Sequence, residues 1–151
     1  VSWRGGELRR YADRLFAFDA AAAANPRPPE RWDWRAQPWL ALAGGGALGL
    51  VCDRHGDVRL SALPRLLSVH QRRGGERLHA SAGRVALKDV LQVQGLAPWE
   101  RAAVPLIMHS GRIIAVADLW LDPAYRAAGA AALERGRFRW RRGGAQRDDC
   151  D

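Results

Sequence analysis

Lysine is almost missing from this 151-residue sequence: Lys88 is the only one. The net charge of +8 and the pI near 11.0 therefore rest on arginine. Guanidinium groups stay charged and fork onto planar oxyanions, so this balance favours polyanions, nucleic acid first and an acidic membrane surface second. Cysteine is scarce. Cys52 and Cys150 build no disulfide framework, which is the pattern of a reducing, cytoplasmic compartment. Long apolar runs are missing as well. The longest uncharged stretch, residues 36–52, contains Pro38 and four glycines, and is too short and broken to span a bilayer. No apolar segment follows the opening Val-Ser-Trp-Arg-Gly-Gly, so no secretory leader is expected, and a start in mid-pattern reads as a fragment of a longer protein.

Catalytic constellations are equally sparse. Cys52 and His55 have a ligand-like spacing, but with His70 and His79 they match no structural zinc pattern, so no metal site is expected. His109, Ser110 and Asp118 lie close in sequence without a nucleophile elbow. Glu7, Glu76, Glu100 and Glu134 form no pair suited to acid–base work. Gly44-Gly45-Gly46 lacks the Lys-Ser/Thr and helix that complete a nucleotide phosphate loop. No catalytic residue is expected in this chain.

What is present suits one domain, or one domain and an appendage. Leu8, Tyr11, Leu15 and Phe18 fit a helix face, yet a hairpin turning at Ala12-Asp13-Arg14 fits the same residues. Asn25 to Glu30 holds three prolines in six residues and reads as a linker. Trp32 and Trp34 fall on one face of an extended segment, between Arg31 and Arg35; they could stack on bases or cover a core edge. Leu48, Leu50 and Cys52 alternate, as do Val58 and Leu60, so Asp53–Asp57 is predicted to turn a hairpin. A strand over Leu66–Gln71 delivers the loop Arg72-Arg73-Gly74-Gly75-Glu76-Arg77. Paired glycines allow positive φ and close approach of backbone N–H groups, and three guanidiniums around them make a phosphate seat; the same pattern also suits a solvated turn. Ala86–Gln94 is predicted helical, with Leu87, Val90 and Leu91 on its apolar face, Lys88 and Gln92 on the other, and Gly95 at the C′ position. Pro98-Trp99-Glu100-Arg101 is predicted to be a turn that plants Trp99 in the core. Next comes an apolar hairpin, Val104–Met108 and Arg112–Leu121, with Pro105 near an edge or at a strand start. Residues 124–133 read as loop or loose helix. Arg137–Arg142 reads as a last strand with Phe138 and Trp140 against arginines, and residues 143–151 as a disordered tail.

The order GGERL, LKDVLQVQGLAPWER, VPLI and GRIIAVADLWL resembles the C-terminal region of the tRNA(Ile)-lysidine synthetase family, and GGELRRYADRLFAF resembles a hairpin of its middle region. Departures are Asp89 in place of a second lysine, Ala97 in place of a first proline, and Val93 in place of an acidic residue; Asp89 removes one phosphate contact. The resemblance favours the hairpin over residues 7–18. It implies an α+β fold, a mainly antiparallel sheet or part-open barrel with one short packed helix, similar to the tRNA-binding modules of phenylalanyl-tRNA synthetase. It implies residues 1–37 as hairpin and linker and 38–142 as a tRNA-binding domain. The family uses ATP to join L-lysine to the wobble cytidine of an isoleucine tRNA, through a Ser-Gly-Gly-x-Asp-Ser loop. Ser81-Ala82-Gly83 does not match that loop. The chain is therefore expected to bind the tRNA acceptor stem without a cofactor of its own, beside a catalytic domain of the same protein. Its expected phosphate contacts are Arg72, Arg73, Arg77, Arg84 and Lys88, with Arg101 paired to Asp118 or Glu100. The alternative is an assembly module, possible as a homodimer through a sheet edge and the Trp-rich segment.

Overall fold

The computed structural model describes the backbone of residues 2–3, 6–11 and 14–18, and then residues 30–42 and 45–142. In chain order the strands are β1 (Ser2–Trp3), β2 (Gly6–Tyr11), β3 (Arg14–Phe18), β4 (Glu30–Asp33), β5 (Trp39–Ala41), β6 (Gly46–Cys52) and β7 (Val58–Arg59). They continue with β8 (Leu66–Gln71), β9 (Arg77–Ala80) and β10 (Gly83–Ala86), then helices α1 (Leu87–Val93) and α2 (Pro98–Ala103). The last strands are β11 (Pro105–His109), β12 (Arg112–Val116), β13 (Trp120–Leu121) and β14 (Arg135–Arg142). Every strand pair is antiparallel, so the expected mainly antiparallel α+β fold holds.

Tyr11 pairs with Arg14 and Glu7 with Phe18, which makes residues 7–18 a hairpin rather than a helix. The linker 25–29 and the tail 143–151 lie outside the described residues. A five-stranded sheet runs β13-β12-β11-β8-β4, and a four-stranded sheet runs β5-β6-β14-β7. The first core joins them: Trp32, Leu67, Ile107 and Ile114 meet Leu48 and Phe138. A second core covers the other face of the five-stranded sheet, where Leu106 and Val116 meet Leu78 of the β9–β10 hairpin and Leu87 and Leu91 of α1. Neighbours Leu106 and Ile107 thus enter different cores, as the near-continuous apolar run of a doubly covered strand requires.

Four expectations change. The Asp53–Asp57 turn does not close a hairpin, because β14 lies between β6 and β7 and pairs with both. The long second arm of the apolar hairpin breaks after Val116: Ala117 adopts φ 46°, Leu119 N–H donates to the Val116 carbonyl at 2.9 Å, and β13 folds back on β12. Pro98–Ala103 is a second short helix, started by the Glu100 carboxylate accepting the Ala97 N–H at 3.0 Å, a bond of the capping-box kind. Trp99 within it is only half-buried and belongs to neither core. β4 pairs with β8 and carries Trp32 into the first core.

Candidate nucleic-acid interface

β8 brings the chain to the basic loop, where Gly74 (φ 102°) and Gly75 (φ 76°) take the left-handed backbone that glycine adopts without cost. A Cβ on either glycine would meet nothing within 4 Å, so conformation and not crowding requires them. The backbone N–H groups do not face outward as a phosphate cradle. The Glu76 carboxylate accepts the Arg73 N–H, and accepts the Gly74 N–H at 2.9 and 3.0 Å. Burial pushes the Glu76 pKa up, but those backbone donors and the Arg72 charge outweigh it and leave the carboxyl below its usual range. The Glu76 carbonyl in turn accepts Leu87 N–H at 3.0 Å, fastening the start of α1 to the loop.

In the β9–β10 hairpin His79 pairs with Arg84 and Arg77 with Ala86, so Arg77, His79 and Arg84 share one face. Leu78 points the other way and is fully buried. Lys88 follows β10 by two residues at the exposed start of α1. Of the five expected contacts, the register brings Arg77 and Arg84 together, Lys88 continues their surface from the helix, and Arg73 stands exposed on the loop. Arg72 is half-buried, with Nε lacking a hydrogen-bond partner. Among the described residues Arg73, Arg77, Arg84 and Lys88 have no carboxylate partner. Arg73 also acts on His70: burial and then the Arg73 charge lower the His70 pKa, and the ring lies 2.9 Å from Ser68 Oγ.

Other candidate groups are differently engaged. Trp32 Nε1 donates to the Gln37 carbonyl at 2.7 Å and Trp34 Nε1 to the Pro64 carbonyl at 2.8 Å; both rings are buried, so the core reading holds over base stacking. Arg101 pairs with neither Asp118 nor Glu100; its Nε donates to the Leu96 carbonyl at 2.8 Å. Glu100 instead meets Arg142 at 2.7 Å. No cluster of three or more His, Cys, Asp or Glu suited to a metal occurs among the described residues, and no helix among them is long and apolar enough to cross a membrane. Sequence reasoning missed Glu76 as the organiser of the loop, although a lone carboxylate amid three arginines was a visible signal.

A 36% identical tRNA(Ile)-lysidine synthase from Alkalilimnicola ehrlichii aligns over 79% of this chain and 27% of its own length. One from Xylella fastidiosa is 39% identical over 80% of this chain and 27% of its own. The chain thus spans about a quarter of the length of the curated relatives it matches. The solved structure described as a crystal structure of a TILS C-terminal domain superposes with a TM-score of 0.51 at 22% identity, covering 76% of this chain and 97% of that one. Its likeness is one of fold. The TilS substrate C-terminal domain family matches residues 67–142, the stretch that carries the basic loop, the β9–β10 hairpin, both helices and β14, and the chain belongs to that family.

Proposed function

We propose that this chain is the tRNA-holding part of a tRNA(Ile)-lysidine synthase, gripping the acceptor stem while the catalytic domain of the same protein works on the anticodon. The observation that carries this reading is the set of unpaired cations, Arg73, Arg77, Arg84 and Lys88, on a loop, a hairpin and a helix start that Glu76 ties together. A-form stems hide base edges in a deep major groove, so a protein grips them by backbone and shape, and rigidly presented guanidiniums serve that purpose. Arg72 adds its charge from a half-buried position. ATP and L-lysine belong to the catalytic domain in this reading, and the chain itself takes no cofactor.

The test is tRNA binding by the chain across a salt series. Arg73→Ala with Arg77→Ala should weaken binding at low salt and flatten the log K against log salt slope by about one unit per lost contact. Arg65→Gln is the control, because Asp33 already meets that charge at 2.9 Å. Wild-type affinity and slope in the folded double variant would reduce the loop to a solvated turn. Sedimentation as a dimer without RNA affinity would favour the assembly reading instead.

A further inference from the structure

β7 pairs only with Arg135 and Gly136, so one edge of β14 stays open from residue 137 onward. Beside that edge lies a cleft of about 360 Å³, bounded by Asp57, the turn 117–121, Arg126 and residues 137–139. Its walls are firmly held. Arg135 Nη2 donates to the Ala127 carbonyl at 2.8 Å, and Arg59 Nη2 to the Ala128 carbonyl at 2.6 Å. Ala127 N–H donates to the Asp57 carbonyl at 2.8 Å, and Val58 bridges Arg126. Arg137 lies 3.2 Å from Asp53 and donates to the His55 carbonyl, also at 3.2 Å. Three arginines thus hold the frame, while Arg126 and Arg139 are exposed; neither side chain makes a hydrogen bond or ion pair among the described residues, and Arg139 adds its charge to that of Arg137 beside Asp53.

Two carboxylates share the cleft: Asp57, which is exposed, and Asp118, which accepts Trp140 N–H at 3.4 Å. A simple anion would be repelled by them. A ribose–phosphate chain satisfies both kinds of group, with phosphate on the guanidiniums and a 2′-hydroxyl donating to a carboxylate. Arg141 extends the row by two residues, about 7 Å along the strand. Its guanidinium lies 4.1 Å from the centroid of the Trp39 ring. That ring covers Gly49 so closely that a Cβ there would sit 2.6 Å away.

We propose that this cleft, continued by Arg141, is a second seat for RNA backbone, built from elements other than those carrying Arg72 to Lys88. The inference rests on the reading that the chain binds tRNA, and names a further face that does so. Its test compares Arg126→Gln with Arg139→Gln against the Arg73→Ala with Arg77→Ala pair, by salt-dependent tRNA binding and hydroxyl-radical footprinting. The cleft pair should flatten the salt slope by about one unit per lost phosphate contact. It should also lose protection over a different stretch of backbone from the loop pair, with an unchanged melting temperature. Asp57→Asn should narrow the preference for an RNA hairpin over its DNA counterpart. Wild-type slope and footprint in the cleft pair, beside a weakened loop pair, would overturn the cleft and leave the tRNA reading standing. Coincident footprints, or an unchanged RNA preference in Asp57→Asn, would likewise overturn it. Absence of tRNA binding by the wild-type chain at low salt would overturn both.

Discussion

Arg73 and Gly74 direct their amides at one carboxylate, so side chains and not backbone donors are left to meet a partner at the basic loop. Glu76→Gln separates organisation from charge. Removing a negative charge would by itself tighten RNA binding, whereas loosening the loop would weaken it. Weaker binding is expected, with faster hydrogen exchange at the Arg73 and Gly74 amides and a stability loss of about 1 kcal/mol. The pH response has a definite sign. The folded pKa of Glu76 is depressed, so its contribution is present above the ordinary glutamate value and is lost as pH falls through the lowered one. Amide protection in the loop should therefore survive mild acid. The tryptophans separate in a similar way. Trp32→Ala removes a fully buried, hydrogen-bonded ring and should cost about 3–5 kcal/mol in a denaturant melt. Trp99→Ala, at a half-buried site outside both cores, should cost about 1–2 kcal/mol. Nothing local distinguishes these two rings in the sequence, since both stand beside charged residues. Only the sheet pairing of β4 carries Trp32 inward.

At the level of elements, local chemistry was legible and partnership was not. The expected helix 86–94 is α1 at Leu87–Val93, with Leu87 and Leu91 buried and Gly95 at φ 67°, because its period and stop signal act within one turn. The β6 and β7 alternations were legible too. What no local rule could supply is β14 entering between them, from far along the chain. Glycine records that entry: a Cβ on Gly56 would lie 2.0 Å from the Gly136 carbonyl oxygen, which belongs to β14. Gly56→Ala should therefore destabilise the fold by about 2–3 kcal/mol, while Gly75→Ser, at an open loop position, should leave the two cores intact. Equal melting temperatures for these two variants would contradict the placement of β14 between β6 and β7. Asp122 is another long-range case. It is fully buried, meets Arg112 at 2.6 Å and accepts Ala124 N–H at 2.9 Å, so it fixes the turn after β13.

Across the whole molecule the charge expectation was legible from arginine counting, but the placement of that charge was not. Some guanidiniums hold carbonyls, as Arg59, Arg101 and Arg135 do, and others stay unpaired. Only the folded register sorts the two kinds. The extent of the unit is also a matter of pairing. β4 belongs to the five-stranded sheet, so a nonspecific protease should spare residues 30–33. Early cleavage within Glu30–Asp33 would contradict this. The position of β14 also bears on how the protein is made. β5, β6 and β7 are synthesised well before the strand that joins them, so a nascent chain carries two unpaired edges and an unfilled socket around Leu48 and Leu50. Such edges template pairing between neighbouring chains. Translation that stalls before Phe138 would release a chain with those edges and that socket still open, an aggregation nucleus rather than a smaller domain.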